Sequence, residues 1–191
     1  MEHYTHSIGR FGRGLVNVQS GNLRLYCNDT ASVGRIFDGL DSKKITPFGR
    51  GWELTVSNKK GAVMDYSNGH LTMFKDENGK EYRFFYNGGL LSCIGFDDGM
   101  ICYDYNADGM LTRVTYPNGQ KAEISYRDIY YVYDINVTDK EGNGILAVSY
   151  ADYYYNDKVG CIYEYTYDGR ERKEQKFVDF TNPHNIITLS H

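Results

Sequence analysis

Hydrophobic and polar residues alternate along most of this chain with a period of two, the period of a strand with one packed face. Trp52-Glu53-Leu54-Thr55-Val56 shows it, as does Cys161-Ile162-Tyr163-Glu164-Tyr165-Thr166-Tyr167. No convincing stretch of ten residues keeps the apolar spacing of about 3.6 residues that a helix needs. Between residues 68 and 119 the alternation is cut at a fixed beat. Gly69, Gly79, Gly89, Gly99, Gly109 and Gly119 stand ten residues apart, giving Asn68-Gly69, Asn78-Gly79, Gly88-Gly89, Asp98-Gly99, Asp108-Gly109 and Asn118-Gly119. These dipeptides suit a two-residue type I′ turn, whose central residues both need positive φ. The pattern predicts an all-β chain: an antiparallel meander of hairpins, with strands of roughly eight residues, forming a coiled, partly open sheet.

Three segments differ in rhythm. Residues 1–60 form an opening β segment, with strands predicted at Val16-Asn17-Val18, Leu23-Arg24-Leu25-Tyr26 and Trp52–Val56. Its first residues, including His3 and His6, are expected to fray. Residues 61–126 hold the ten-residue hairpin ladder. Residues 127–191 lose that beat but stay Tyr-rich and β-like, with strands expected at Ile129–Val137, Ile145–Tyr155, Cys161–Tyr167, Phe177–Phe180 and Ile186–Leu189.

If every ladder turn has two residues, Tyr66, Leu71, Tyr86, Leu91, Asn106, Leu111 and Tyr126 share one row across the sheet. Met64, Met73, Phe84, Cys93, Asp104, Arg113 and Ile124 form the next row on that face. The opposite face then carries Phe74, Ile94, Tyr103 and Val114, with Phe96, Ile101 and Tyr116 beyond. Apolar rows on both faces predict a sheet covered, at least in part, on both sides.

Composition narrows the function more than the fold. Of 191 residues 19 are Tyr and one is Trp, which suits half-buried strands whose rings pack while their hydroxyls find partners. The net charge of -4 offers no concentrated basic surface, so no nucleic-acid partner is expected. The most basic stretch, Arg170–Lys176, is broken by Glu171, Glu174 and Gln175 and reads as a solvated strand face. No apolar run approaches the ~18 residues of a membrane span. The start shows neither the basic nor the apolar region of a signal peptide.

Candidate chemistry is sparse, and neither an enzyme nor a cofactor is expected. Gly9–Gly14 spells G-x-x-G-x-G, with no strand before it and no helix pattern after it, so a phosphate-binding reading fails on context. Asp104–Gly109 matches the first half of a calcium loop, yet Thr115 stands where a bidentate Glu belongs. An acidic hairpin turn is the expectation there, and no metal ligands are assigned. Cys27, Cys93, Cys102 and Cys161 contain no CxxC pair. A register centred on Asp98-Gly99 sets Cys93 against Asp104 and Cys102 against Gly95, so no disulfide is expected and the thiols read as buried. The clusters Tyr130-Tyr131-Val132-Tyr133 and Tyr153-Tyr154-Tyr155 suggest a surface on which rings stack against sugars. Tyr131, Tyr133, Tyr153 and Tyr155 are its candidates, against the plainer reading that alternate residues simply pack inward.

The run Tyr103-Asp104-Tyr105-Asn106-Ala107-Asp108-Gly109-Met110-Leu111, followed by Gly119 and Tyr126, resembles the YD repeat of the Rhs family. Met110 stands where that repeat has Arg, and the Tyr-Asp pair is displaced. Tyr126-Arg127-Asp128 and Tyr165–Arg170 look like degenerate copies. Gly14–Leu23, followed by Pro47-Phe48-Gly49-Arg50-Gly51-Trp52, resembles the segment that opens many Rhs and wall-associated proteins, with a shorter stretch between the two blocks than the family has. The resemblance covers roughly residues 8–170.

This resemblance implies a β-sheet coiling into a hollow shell in secreted or cell-surface proteins, where the shell encloses a toxin or serves contact. Such shells need many more repeats, so it implies a fragment or truncated member whose partners are other repeats or domains of a larger protein. The Asp-Pro-Gly-rich motif at which family members release their toxin has no counterpart, so neither cleavage nor a toxin is carried over. The expected function is a non-catalytic structural shell segment. The alternative is a carbohydrate- or cell-surface-binding β module using exposed tyrosines.

Overall fold

The computed structural model describes residues 3–127, 131–152, 159–168, 170–180 and 186–190. It is all-β, and within each of its two sheets every strand pairs antiparallel with its neighbours in sequence. A five-stranded sheet comprises β1 (His3–Ser7), β2 (Arg13–Asn17), β3 (Leu23–Cys27), β4 (Val33–Asp38) and β5 (Trp52–Val56). The later described strands build a twelve-stranded sheet. Its first half is β6 (Val63–Ser67), β7 (His70–Lys75), β8 (Glu81–Asn87), β9 (Leu90–Phe96), β10 (Gly99–Tyr105) and β11 (Leu111–Thr115). Its second half is β12 (Lys121–Arg127), β13 (Tyr131–Thr138), β14 (Gly144–Asp152), β15 (Val159–Asp168), β16 (Glu171–Asp179) and β17 (Ile186–Ser190). Both sheets are meanders, and neither closes into a barrel.

Contrary to expectation, His3 and His6 do not fray. β1 pairs along its length with β2, His3 opposite Asn17 and Ser7 opposite Arg13. Burial of Tyr4 and His6 against the larger sheet holds this edge strand down. Between β3 and β5 the structure also has β4, whose Val33, Arg35 and Phe37 share one buried parity.

The ladder turns are not all of one type. Type I′ geometry holds at Asn68-Gly69 (φ 50° and 78°) and at Gly88-Gly89 (58° and 83°). Asn68 is the only non-glycine with positive φ among the described residues. Gly79, Gly109 and Gly119 instead end three-residue loops, where only the glycine must be left-handed. The residue preceding two of these loops explains the difference. Asp76 Oδ1 accepts the N–H of Asn78 and of Lys80, and Asn106 Oδ1 that of Asp108 and of Met110. In the third, Pro117 presets the φ that a type I turn wants at that position. β9 and β10 join through Asp97-Asp98, with Phe96 opposite Gly99, so that turn lies one residue earlier than the sequence suggests.

Bulges overturn the expectation of two apolar faces. Asp65 pairs with Met73 but Tyr66 with Leu71, leaving Thr72 as an extra residue. Ser92 and Thr112 are extra in the same way. Their hydroxyls donate across the ladder: Thr72 to the Asp65 carbonyl at 3.2 Å, Ser92 to Phe85 at 2.9 Å and Thr112 to Asp104 at 3.1 Å. One inserted residue reverses the facing of the strand beyond it. Leu71 and Phe74, Leu91 and Ile94, and Leu111 and Val114 therefore all turn to the same side and are buried. Met64 meets Phe74 rather than Met73, and Phe84 meets Ile94.

The five-stranded sheet lies over this one apolar face and makes a single core with it. Trp52, Phe37 and Leu25 from the first sheet, with Phe11 from the short turn between β1 and β2, pack in the same cluster as Ile94, Ile101, Val114, Ile135 and Ile162 from the second. The opposite face leaves Phe85 and Met100 each 48% exposed.

Candidate functional site at the interface between the sheets

The two sheets are joined through a buried charged group. Arg35 on β4 is charged at a position where the alternation calls for an apolar residue. Its Nε and Nη2 donate to Asp29 Oδ2 and Oδ1 at 2.6 and 3.0 Å, with the two side chains 1% and 0% exposed. From the second sheet, the Tyr103 hydroxyl donates to Asp29 Oδ2 at 2.7 Å. The guanidinium carbon lies 4.6 Å from the Tyr103 ring centre and 5.0 Å from that of Trp52. Burial works against the Arg35 charge, but Asp29 more than restores it and holds its pKa well above the usual value. Burial, with the Asp29 charge adding to it, raises the Tyr103 phenol well above its ordinary range. Arg10 closes the group from outside, donating to the carbonyls of Asn28 and Asp29 at 3.1 and 3.0 Å. This arrangement ties sheets together. It has no open side from which a substrate could reach the carboxylate.

Trp52 makes the second tie. Its ring packs on Phe37 and Phe11, and its Nε1 donates to the Tyr126 hydroxyl at 3.3 Å. Tyr126 in turn donates to the Leu111 carbonyl at 2.8 Å, and Tyr86 donates to the Leu71 carbonyl at 2.9 Å. The loop before Trp52 supplies backbone partners. Leu91 N–H donates to the Pro47 carbonyl at 2.7 Å, Arg50 N–H to the Gly109 carbonyl at 3.1 Å, and Arg50 Nε to the Asp108 carbonyl at 2.7 Å. Gly51, at φ 73°, admits the Phe37 ring so closely that an added Cβ would lie 2.8 Å from it.

A third tie lies under β1. His6 Nε2 and the Tyr150 hydroxyl are 2.8 Å apart, and Tyr4 donates to Glu164 Oε1 at 2.8 Å while accepting from Lys176 Nζ at 2.5 Å. Burial, with Lys176 nearby, pushes the His6 imidazole down to about 4, so it sits neutral at pH 7. Its Nδ1 is buried without a hydrogen-bond partner.

The repeat residues singled out by the sequence divide between core and surface. Tyr103 and Leu111 are buried, Tyr105 and Tyr126 are partly buried against the core, and Asp104 is exposed with Arg113 Nε 2.8 Å away. Gly109 and Gly119 occupy left-handed turn positions. Of the surface candidates, Tyr133 is 38% exposed beneath the Arg127 guanidinium, and Tyr131 is half-buried. Tyr153 and Tyr155 lie outside the described residues. A cluster that the sequence reading missed stands nearby. Tyr163 and Tyr165 on β15 have nearly parallel rings 6.5 Å apart, and Tyr163 lies 4.8 Å from Phe177 on β16. Among the described residues no three His, Cys, Asp or Glu side chains gather as metal ligands. No helix among them is long and apolar enough to cross a membrane.

The cysteines depart from expectation. Only Cys27 is fully buried, and the register sets Cys93 directly opposite Cys102 rather than opposite Asp104. The physical reason is the Asp97-Asp98 turn, which shifts the β9–β10 pairing by two residues.

No protein-family model and no curated protein matches this chain. Among solved structures it is similar to chains titled "Crystal Structure of TcdB2-TccC3-TEV", at 11% identity and a TM-score of 0.44, and "Crystal Structure of TcdB2-TccC3", at 13% and 0.35. A third, "Crystal Structure of TcdB2-TccC3 without hypervariable C-terminal region", is similar at 12% and 0.36. These matches cover 93%, 90% and 93% of this chain and 12% of each of the others.

Proposed function

We propose that this chain is a non-catalytic wall segment of a β-shell, in a secreted or cell-surface protein of the Rhs/YD-repeat kind that its sequence resembles. One observation carries the reading. The Pro47–Gly51 loop, part of the opening block named in the resemblance, is hydrogen-bonded directly to the hairpin ladder, at Leu91 and at Gly109. The two stretches on which the resemblance rests thus act as one structural unit: an opening sheet that seals one face of the repeat sheet. The functional chemistry is the wall itself, made of backbone ladders, a sealed lining and a solvated exterior. Its partners are further repeats or domains that continue the meander beyond its end strands.

The test is to express the chain together with its flanking coding sequence and image the product by electron microscopy. A hollow shell containing this segment in its wall is the expected result. A compact domain with no continuing β-repeats on either side would overturn the reading.

A second reading, binding of surface carbohydrate, is favoured by the Tyr163, Tyr165 and Phe177 cluster, because flat aromatic faces stack on sugar rings. Titration with cell-wall polysaccharide tests it: quenching or heat lost in Tyr163→Ala and Tyr165→Ala supports it, and no binding at millimolar sugar discards it.

A further inference from the structure

The face of the larger sheet that points away from the core carries a facing pair of thiols. From the closing pair Phe96 and Gly99, the β9–β10 register runs through Gly95 with Met100 and Ile94 with Ile101 to Cys93 with Cys102. Antiparallel pairs alternate between hydrogen-bonded and non-hydrogen-bonded, and the pair closing a two-residue turn is hydrogen-bonded. Three steps on, Cys93 and Cys102 form a non-hydrogen-bonded pair. In such a pair the Cα atoms lie about 4.5 Å apart and the side chains rise from the sheet close together. That spacing falls within the range a disulfide spans.

The surroundings allow the reaction. Both thiols are half-buried rather than sealed, and the register sets the two residues face to face on adjacent strands. Phe85 stands beside Cys93 on β8, and Thr115 beside Cys102 on β11. Neither offers a competing sulfur. Cys27 is buried in the first sheet, and Cys161 is on β15, five strands from β10. At about 4.8 Å per strand that is a separation of roughly 24 Å.

We propose that Cys93 and Cys102 are a redox site of this protein, closing a cross-strand disulfide on the outer face of the wall when exposed to a disulfide oxidant. The oxidant is a low-molecular-weight disulfide such as oxidised glutathione. The thiolate of one cysteine attacks it, forming a mixed disulfide and releasing one reduced thiol. The second cysteine then displaces the other half. Two S–H bonds and the oxidant's S–S bond break, one Cys93–Cys102 bond forms, and the two electrons and two protons end on two molecules of reduced glutathione. Burial, and then the adjacent Cys102, push the Cys93 thiol up to about 12, so exchange is expected to run faster in mildly alkaline buffer. The disulfide links adjacent strands already in register, so closing it demands no rearrangement of the ladder.

The intact chain is incubated in glutathione buffers of graded oxidation, alkylated and cleaved at methionine. Met100 lies between the two cysteines, so cleavage separates them into the fragments 74–100 and 101–110. The expected result is that these two fragments travel joined until reduced, while Cys27 and Cys161 take the alkylating label. In parallel, oxidation is expected to raise the folding constant by up to about a hundredfold, as for a loop of some ten residues, and to leave Cys93→Ser and Cys102→Ser unshifted. Separate fragments in fully oxidising buffer, glutathione adducts without the link, or a link to another cysteine would each overturn the assignment. The fragment readout uses the unaltered chain, so it stands even if a serine variant folds poorly.

Discussion

Tyr103 reaches Asp29 across the interface, its hydroxyl 2.7 Å from a carboxylate oxygen that also receives the Arg35 Nε. The two residues lie 74 positions apart, one in a loop of the opening sheet and one in the repeat ladder. Breaking a buried ion pair from one side leaves a charge without compensation. Asp29→Asn is expected to cost about 3–5 kcal/mol of folding stability, and Tyr103→Phe about 1–3 kcal/mol. Denaturant unfolding followed by the fluorescence of Trp52, the chain's one tryptophan, measures both. Equal, small losses would remove the charge from the account of how the sheets adhere.

Stability is expected to depend on pH through His6. Its folded-state pKa of about 4 lies below the ordinary 6.5, so the unfolded chain binds a proton that the native state refuses. The stabilisation is complete above pH ~6.5 and is lost as pH falls through 4, by about 3 kcal/mol in all. Comparing denaturation midpoints of the wild type and His6→Phe at pH 7.5, 6.0 and 5.0 isolates this from carboxylate titration. The difference between the two proteins should narrow, then reverse, on acidification; parallel curves would contradict the assignment.

Gly51 is expected to tolerate no side chain. At φ 73°, with the Phe37 ring 2.8 Å and the Ser42 Cα 2.9 Å from an added Cβ, Gly51→Ala combines backbone strain with a clash in the core. A loss of more than about 1 kcal/mol is expected, well beyond that of Gly61→Ala, whose Cβ would meet nothing within 4 Å though its φ is also positive. Thermal unfolding of the two variants separates crowding from strain.

The bulge hydroxyls should matter singly and modestly. Thr72→Val and Thr112→Val each remove one hydroxyl-to-carbonyl bond and are expected to cost about 1 kcal/mol. Hydrogen exchange should show faster opening confined to β6–β7 or to β10–β11. Exchange unchanged at both sites would mean that the bulges are held by packing alone.

Much of the architecture was legible in the alternation and in the spaced glycines, since period-two patterning and left-handed turn residues leave strong local marks. Loop length left a fainter mark that the Asn-Gly and Asp-Gly dipeptides hid. Asp76, Asn106 and Asp139 each stand three residues before a glycine and accept backbone N–H groups from the loop. The bulges left none, because Thr72, Ser92 and Thr112 look like ordinary polar strand residues until the partner strand shows them to be extra. The interface was equally hidden. Arg35 breaks an apolar run, which is a signal, but its partner Asp29 sits in a loop where acids are commonplace. His6 was misjudged because proximity to the N-terminus says little once a strand has a sheet to dock on.

The recurring extra residue has a consequence for growth. From Leu71 to Leu91 to Leu111, each block of twenty residues holds one bulge and returns the chain to the same side of the sheet. Whole blocks can therefore be added or removed without exchanging the buried face for the solvent-facing one, whereas loss of one bulge would reverse the facing of every later strand. The number of strands is a free variable in such a sheet, and sidedness is not.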